Sequence, residues 1–157
     1  MLRRLARDLS ATAPASWVLS RTLHRADKLA FRLTEGRTLS SLLTGLPVIM
    51  LSTKGAKSGK VRTVPVLGLP DGDRWVVIAS SYGQGSRSPA WYHNLRANPE
   101  ATAEVEGVGH RVVAYKAEGE ERDRLWEKGL EVYPGFADYQ QRASGRRIPV
   151  MVLSPLE

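Results

Sequence analysis

The chain has 157 residues, 42% of them hydrophobic and 25% charged, with 23 Lys/Arg against 16 Asp/Glu for a net charge of +7. That is an ordinary globular composition, long enough for one domain with a real core. There are no cysteines, which excludes disulfides, thiolate zinc sites and cysteine nucleophiles and fits a reducing compartment.

The first 37 residues carry eight Arg/Lys against Asp8, Asp27 and Glu35, a local charge of +5. Leu2, Leu5 and Leu9 recur at helical spacing up to Pro14. Leu19, Leu23, Ala26, Ala30 and Leu33 then form a second helical stripe, with Arg21, Arg25, Lys28 and Arg32 between them. The expectation is a basic amphipathic helical extension over 1–37, ahead of a second unit over 38–157. Such a face either packs on the domain with its charges in water or rests on an anionic membrane surface. The opening Met-Leu-Arg-Arg resembles a secretion signal, but Arg7 and Asp8 interrupt the apolar run a signal needs. No run of 18 apolar residues exists to span a bilayer. The chain is therefore read as cytoplasmic, with the N-terminus as its point of contact with the inner face of the membrane.

Beyond Gly45 the hydrophobic period shortens to that of strands. Residues 47–51 and 62–69 read as strands, Asp71-Gly72 as a hairpin turn, and 74–79 as a third strand. A Gly/Ser-rich loop follows over 80–89. A short helix is expected over 90–97, with Pro89 near its first turn and Asn98-Pro99 ending it. Residues 101–106 and 110–116 form a second hairpin about Gly107-Val108-Gly109. A helix with an acidic start spans 118–132, in keeping with the helix dipole. Pro134-Gly135 breaks it, a short helix runs to Ala143, and 148–153 is the last strand. About six short strands joined mostly by hairpins suggest antiparallel pairing and a small barrel: an α+β, mainly β, fold.

The most informative stretch is Thr53-Lys-Gly-Ala-Lys-Ser-Gly-Lys-Val-Arg62. Lys54, Lys57, Lys60 and Arg62 bring four positive charges with no acidic residue, and Gly55 and Gly59 flank the turn. Backbone N–H groups, the Ser58 hydroxyl and the cationic heads offer what a phosphate or polycarboxylate needs. A P-loop requires four residues before its Gly-Lys-Ser/Thr and a helix after it. Here three residues separate the glycines and a β-branched run follows, so the turn joins two strands. The bland alternative is a solvated hairpin whose lysines serve solubility. His24, His93 and His110 show no ligand spacing, and no metal site is expected.

An ordered set of motifs carries a family resemblance over about residues 40–155. They are Gly55-x-Lys57-Ser58-Gly59, Arg62 with Pro65, Asp71-Gly72, Ala79-Ser80-Ser81, Pro89-x-Trp91-Tyr92-x-Asn94-Leu95, Ala97-Asn98-Pro99, Glu120-Glu121-Arg122, Tyr133-Pro134, Asp138-Tyr139 and Ile148-Pro149-Val150. In these the chain resembles the deazaflavin-dependent nitroreductases, the coenzyme F420-dependent quinone and nitro reductases of split β-barrel fold. The resemblance implies an enzyme that passes a hydride from C5 of reduced F420 to a quinone, nitroaromatic or enone. It implies that Lys57, Ser58 and Arg62, with Ala56, hold the phosphodiester and glutamate tail. It sets the deazaflavin ring against Thr63, Val64, Pro65, Val66 and Leu67, against Ala79, Ser80, Ser81 and Tyr82, and against Ala90, Trp91, Tyr92, His93 and Asn94. Tyr133, Phe136 and Tyr139 overlie the substrate side, with Phe136 also touching the cofactor and Leu67 also the substrate. Ser81 with Tyr133 or Tyr139 would donate the catalytic hydrogen bonds or proton.

The chain departs from relatives at three places. Phe136 stands for a tyrosine, Tyr82 for a lysine and Leu67 for a tyrosine. Cofactor use is expected to survive these changes and the substrate range to alter. Taken singly, Trp91 and Tyr92 are as well explained as core, Asn94 as a brace for its own helix, and the aromatic trio as a core cluster. The competing readings are an FMN-binding or haem-related split barrel and a non-catalytic deazaflavin carrier. A nucleic-acid module is disfavoured because the excess charge sits in the N-terminus and the aromatics lack basic interleaving. The partners expected are a small-molecule electron acceptor and, through the N-terminus, a membrane surface. A homodimer is allowed but not fixed.

Overall fold

The computed structural model describes residues 45–81 and 87–157. The N-terminal helices expected over 1–37 and Tyr82 lie outside the described residues. Six strands form a closed antiparallel barrel in the order β1-β2-β3-β6-β5-β4. They are β1 (Val48–Lys54), β2 (Val61–Asp71), β3 (Arg74–Ile78), β4 (Glu100–Val105), β5 (Val108–Lys116) and β6 (Val150–Pro155). Three helices accompany them: α1 (Ala90–Ala97), α2 (Gly119–Val132) and α3 (Gly135–Arg142). All the strands and helices expected beyond Gly45 are present.

Most strand ends shift by one to three residues from the sequence reading, as where the first strand runs on to Lys54. The second hairpin turns on Glu106-Gly107, not on Gly107-Val108-Gly109, because Val105 pairs with Val108. Both turn residues hold positive φ, 49° and 84°, as the two-residue turn that matches strand twist requires. The last strand starts at Val150; Ile148 and Pro149 approach it as buried connector.

Strand alternation divides the apolar residues into two cores. One set faces the barrel interior: Ile49, Leu51, Val77, Ala103, Val112, Met151 and Leu153, joined by Trp91 and Leu95 of α1. The other set faces outward from β2, β3 and β6: Leu69, Val76, Ile78, Val150 and Val152. Helices α2 and α3 cover it with Leu125, Trp126, Phe136 and Tyr139. At roughly 25 cal/mol per Å² this second burial stabilises the barrel only while the helices stay docked.

A polar clamp fixes that docking. The Asp71 carboxylate, at the β2–β3 turn, accepts hydrogen bonds from Arg74 Nη2 (2.7 Å), Arg124 Nη1 (3.0 Å) and Lys128 Nζ (3.1 Å). Arg124 and Lys128 belong to α2, so the clamp joins hairpin to helix. These cations, Arg124 foremost, hold the Asp71 carboxyl far below the usual carboxylate range against an opposing cost of burial. Its stabilisation is complete above the unfolded pKa of about 4 and is lost as pH falls toward the lower folded value. Asp71→Asn should cost about 1–3 kcal/mol, lowering Tm by about 2–4 °C per kcal/mol. In pH-dependent thermal melts the variant should also lose part of the wild type's acid destabilisation below about pH 4.

Candidate functional site

The barrel is unevenly closed. β2 pairs with β1 over seven residues, from Lys54↔Val61 to Val48↔Leu67. It pairs with β3 over only four, from Gly68↔Val77 to Asp71↔Arg74. After Val77, β3 leans to β6 instead: Ile78 pairs with Val150 and the Ala79 N–H donates to the Pro149 carbonyl at 2.9 Å. Residues 61–67 of β2 therefore lack a strand partner on their β3 side among the described residues.

The Gly68 N–H donates to the Pro47 carbonyl at 2.8 Å. Antiparallel ladders alternate bonded and non-bonded pairs, so Thr63, Pro65 and Leu67 turn their backbone groups away from β1, toward the gap. Proline suits that place because it has no N–H to leave unpaired. The same three side chains point outward from the barrel, whereas Val64 and Val66 point into the interior core. Of the five β2 residues expected along the ring, half-buried Thr63 and Leu67 and buried Pro65 turn to the outer face, whereas Val64 and Val66 direct their side chains to the interior core and their backbone groups to β1. Ser52, on the same face, shares a 2.7 Å hydroxyl–hydroxyl hydrogen bond with Thr63; the sequence reading had not singled it out.

Across the gap the chain leaves β3 through Ala79, Ser80 and Ser81. Ala79 is buried in the interior core. The Ser80 N–H donates to the Ile78 carbonyl at 2.9 Å, and Ser81, half-buried, holds φ at 46°. A non-glycine residue in the left-handed region persists only where its surroundings fix it.

The cationic turn lies at one end of β2. Lys54, Lys57, Lys60 and Arg62 are all exposed. Lys54 belongs to β1 and Arg62 to β2, directly opposite Thr53. Several turn amides are engaged within the protein. Gly55 N–H donates to Lys60 C=O (2.8 Å), Gly59 N–H to Gly55 C=O (2.9 Å) and Lys60 N–H to Ser58 Oγ (3.2 Å). Ala56 N–H donates to Asn94 Oδ1 at 3.0 Å. What the turn offers an anion is chiefly the charge of its side chains.

At the other end, Leu67 packs against the outer core cluster that contains Tyr133, Phe136 and Tyr139. The trio does come together, with ring centroids 5.2, 5.7 and 6.1 Å apart. Tyr133 closes α2, and only Phe136 and Tyr139 ride on α3. The Tyr133 and Tyr139 hydroxyls are hydrogen-bonded at 2.8 Å, and both residues are nearly inaccessible, at 5% and 2% exposure. The Tyr133 ring folds back over Gly135: a Cβ there would stand 2.7 Å from the Tyr133 hydroxyl oxygen.

Helix α1 places its residues differently from one another. Trp91 is core, and Ala90 and His93 are exposed. Tyr92 packs on the interior cluster and accepts a 3.2 Å hydrogen bond from Arg96. Asn94 reaches the cationic turn. Arg62 to Leu67 spans about 17 Å at the ~3.3 Å rise of a strand, so charge and aromatics mark two ends of one open strand edge.

A gapped barrel with a basic turn and an aromatic sheath is the architecture of a cofactor-binding split barrel. The family model described as F420H(2)-dependent quinone reductase matches residues 23–155. The F420H(2)-dependent quinone reductase Rv1261c of Mycobacterium tuberculosis is 36% identical over 135 residues, covering 84% of this chain and 89% of that protein. The putative F420H(2)-dependent quinone reductase Rv3178 of the same organism is 36% identical over 110 residues, covering 70% of this chain and 91% of that one. A solved structure of an F420-H2 dependent reductase, FDR-A, superposes with a TM-score of 0.63 at 35% identity, covering 69% of this chain and 94% of its own. HutZ, the heme storage protein of Vibrio cholerae, covering 71% of this chain and 82% of its own, has a TM-score of 0.53 at 13% identity and shares the fold alone. The chain belongs to the F420H(2)-dependent quinone reductase family. It is an oxidoreductase whose cofactor is coenzyme F420 and whose hydride acceptor is a quinone. Among the described residues no helix is long and apolar enough to cross a membrane.

Because the Tyr133 ring occupies the space of a Gly135 side chain, Gly135→Ala should displace the Tyr133 hydroxyl from Tyr139. Turnover with a quinone should fall about tenfold or more while F420 affinity holds, as steady-state kinetics beside a cofactor titration would show.

Proposed function

We propose that the open edge of β2 is where this chain seats F420, with the tail at the cationic turn and the ring toward Leu67. The observation that carries this is the coincidence, on one under-paired strand, of an acid-free basic turn and an apolar aromatic end. A long polyanionic tail suits several spread cations better than a single phosphate would, and this favours F420 over FMN. Lys57 contributes a point charge and Arg62 a planar fork. Thr63, Pro65 and Leu67 give a face whose backbone polar groups have no strand partner among the described residues and can orient a ligand, the mixture a ring-shaped ligand needs.

When bound and reduced, the deazaflavin supplies the hydride. The protein binds, orients and excludes water. A quinone leaving as hydroquinone also requires a proton. The paired Tyr133 and Tyr139 hydroxyls form a two-member donor in which the rear hydroxyl steadies the one that gives up its proton. Ser81 adds a hydrogen bond to the oxygen on which charge develops. Phe136 keeps this corner apolar and, lacking a hydroxyl, narrows the polar acceptors it can align.

The basic N-terminal 37 residues give a separate reason to place this reaction at an anionic membrane surface, where lipid-soluble quinones reside. Co-sedimentation with anionic vesicles should weaken when those residues are removed and when salt is raised.

Anaerobic mixing with reduced F420 and menadione should oxidise the cofactor, and a silent mixture would refute the reading. Lys57→Ala and Arg62→Ala should each raise the F420 dissociation constant about tenfold, and more at low salt. Fluorescence titration reads this directly, and unchanged affinity would remove the turn from the tail site. Tyr133→Phe should lower kcat on the order of 100-fold with F420 affinity unchanged; equal turnover would exclude it as proton donor.

A further inference from the structure

We propose that Asn94 is a positioning residue for the cationic turn: it sets where the tail of F420 is held and does not itself contact the ring. This rests on the cofactor placement argued above and departs from the sequence expectation that Asn94 orients the deazaflavin.

Asn94 sits on the buried face of α1, 9% exposed, between the helix and the end of the barrel. Both halves of its amide already have partners inside the protein. Oδ1 accepts the Ala56 N–H at 3.0 Å, and Nδ2 donates to Thr53 Oγ1 at 3.0 Å. Thr53 is 2% exposed. It continues the inward-facing series Ile49, Leu51, Thr53 on β1, where a third aliphatic residue would otherwise be expected. A buried hydroxyl and a buried carboxamide each need a partner, and here they satisfy each other. The one bond left over goes to the backbone of residue 56, next to Lys57.

The turn has little freedom to find that position unaided. Its Gly55, Gly59 and Lys60 amides close it on itself, and a Cβ on Gly55 would collide with Ser58 Oγ, so its internal shape is set. Those bonds fix the shape of the turn but not how it tilts relative to the barrel. The Asn94–Ala56 bond is the side-chain link that sets the tilt: it runs from a rigid helix, anchored in the core by Trp91 and Leu95, to the base of the basic turn. Losing it would leave Lys57 and Lys60 in place as charges but loosely aimed, and preorganisation is what a multivalent ionic contact loses first.

The discriminating experiment compares two ligands: F420, and the deazaflavin chromophore lacking the phosphodiester and glutamates. Asn94→Ala should raise the dissociation constant for F420 about tenfold. It should leave that for the tail-less form within about twofold and leave kcat at saturating F420H2 near wild type. Thr53→Val, isosteric and at a buried position, should reproduce the F420-specific loss by leaving the Asn94 amide without its anchor. It also serves as the test should Asn94→Ala fold poorly. Equal losses for both ligands would assign Asn94 to the ring and overturn the proposal, as would unchanged F420 affinity in both variants. Failure of the wild type itself to bind F420 would instead strike the cofactor placement, and is read without either variant.

Discussion

Strand β2 is held along seven residue pairs on one side and four on the other, and its open edge exists because of that mismatch. A fully paired barrel would have turned the backbone of Thr63, Pro65 and Leu67 into ladder. Instead β3 leaves β2 after Val77 and follows β6, carrying Ser80 and Ser81 away on the far side of the gap. Exposed strand edges are normally blunted because they invite unwanted pairing. Here the edge contains a proline, is flanked by cations and adjoins an aromatic sheath. Those features discourage another strand and leave room for a flat, charged ligand.

Two rigid supports keep the ends of that edge in place. At the aromatic end, α2 is fastened to the β2–β3 hairpin through Asp71, which pairs with Arg124 and Lys128 of the helix. It is fastened to the approach of β6 through buried Arg122, which donates to the Ile148 carbonyl at 3.2 Å and lies over Trp126. Burial pulls the Arg122 guanidinium below its ordinary pKa, with the nearby Arg147 adding to that. At the basic end the support is the Asn94 carboxamide. Both use side-chain polar groups with their partners satisfied, the condition under which buried polarity stiffens a fold.

Much of this was legible in the chain. The change from helical to strand period at Gly45, the turn residues and the order of motifs gave about six strands and two or three helices, with ends within three residues of those observed. The acid-free run from Thr53 to Arg62 named an anionic ligand before any family was in view. Less legible were residues whose role depends on what lies opposite. Ser52 became part of the site face because its register partner is Thr63. Gly135, read as a helix breaker, turned out to be the seat of the Tyr133 ring. Thr53 had left a trace, a polar residue where inward alternation called for an aliphatic one, but nothing local pointed to a partner 41 residues away.

The sequence by itself determined the alphabet of the site and the elements carrying it, since charge, period and turn chemistry act over a few neighbouring residues. Only the tertiary structure decided which face of β2 looks outward, that the Val64 and Val66 side chains pack on the interior core, and that the two tyrosine hydroxyls meet. Those outcomes depend on strand register and helix docking. One residue of slip would reverse every side chain on the strand, and no local pattern encodes which pairing wins.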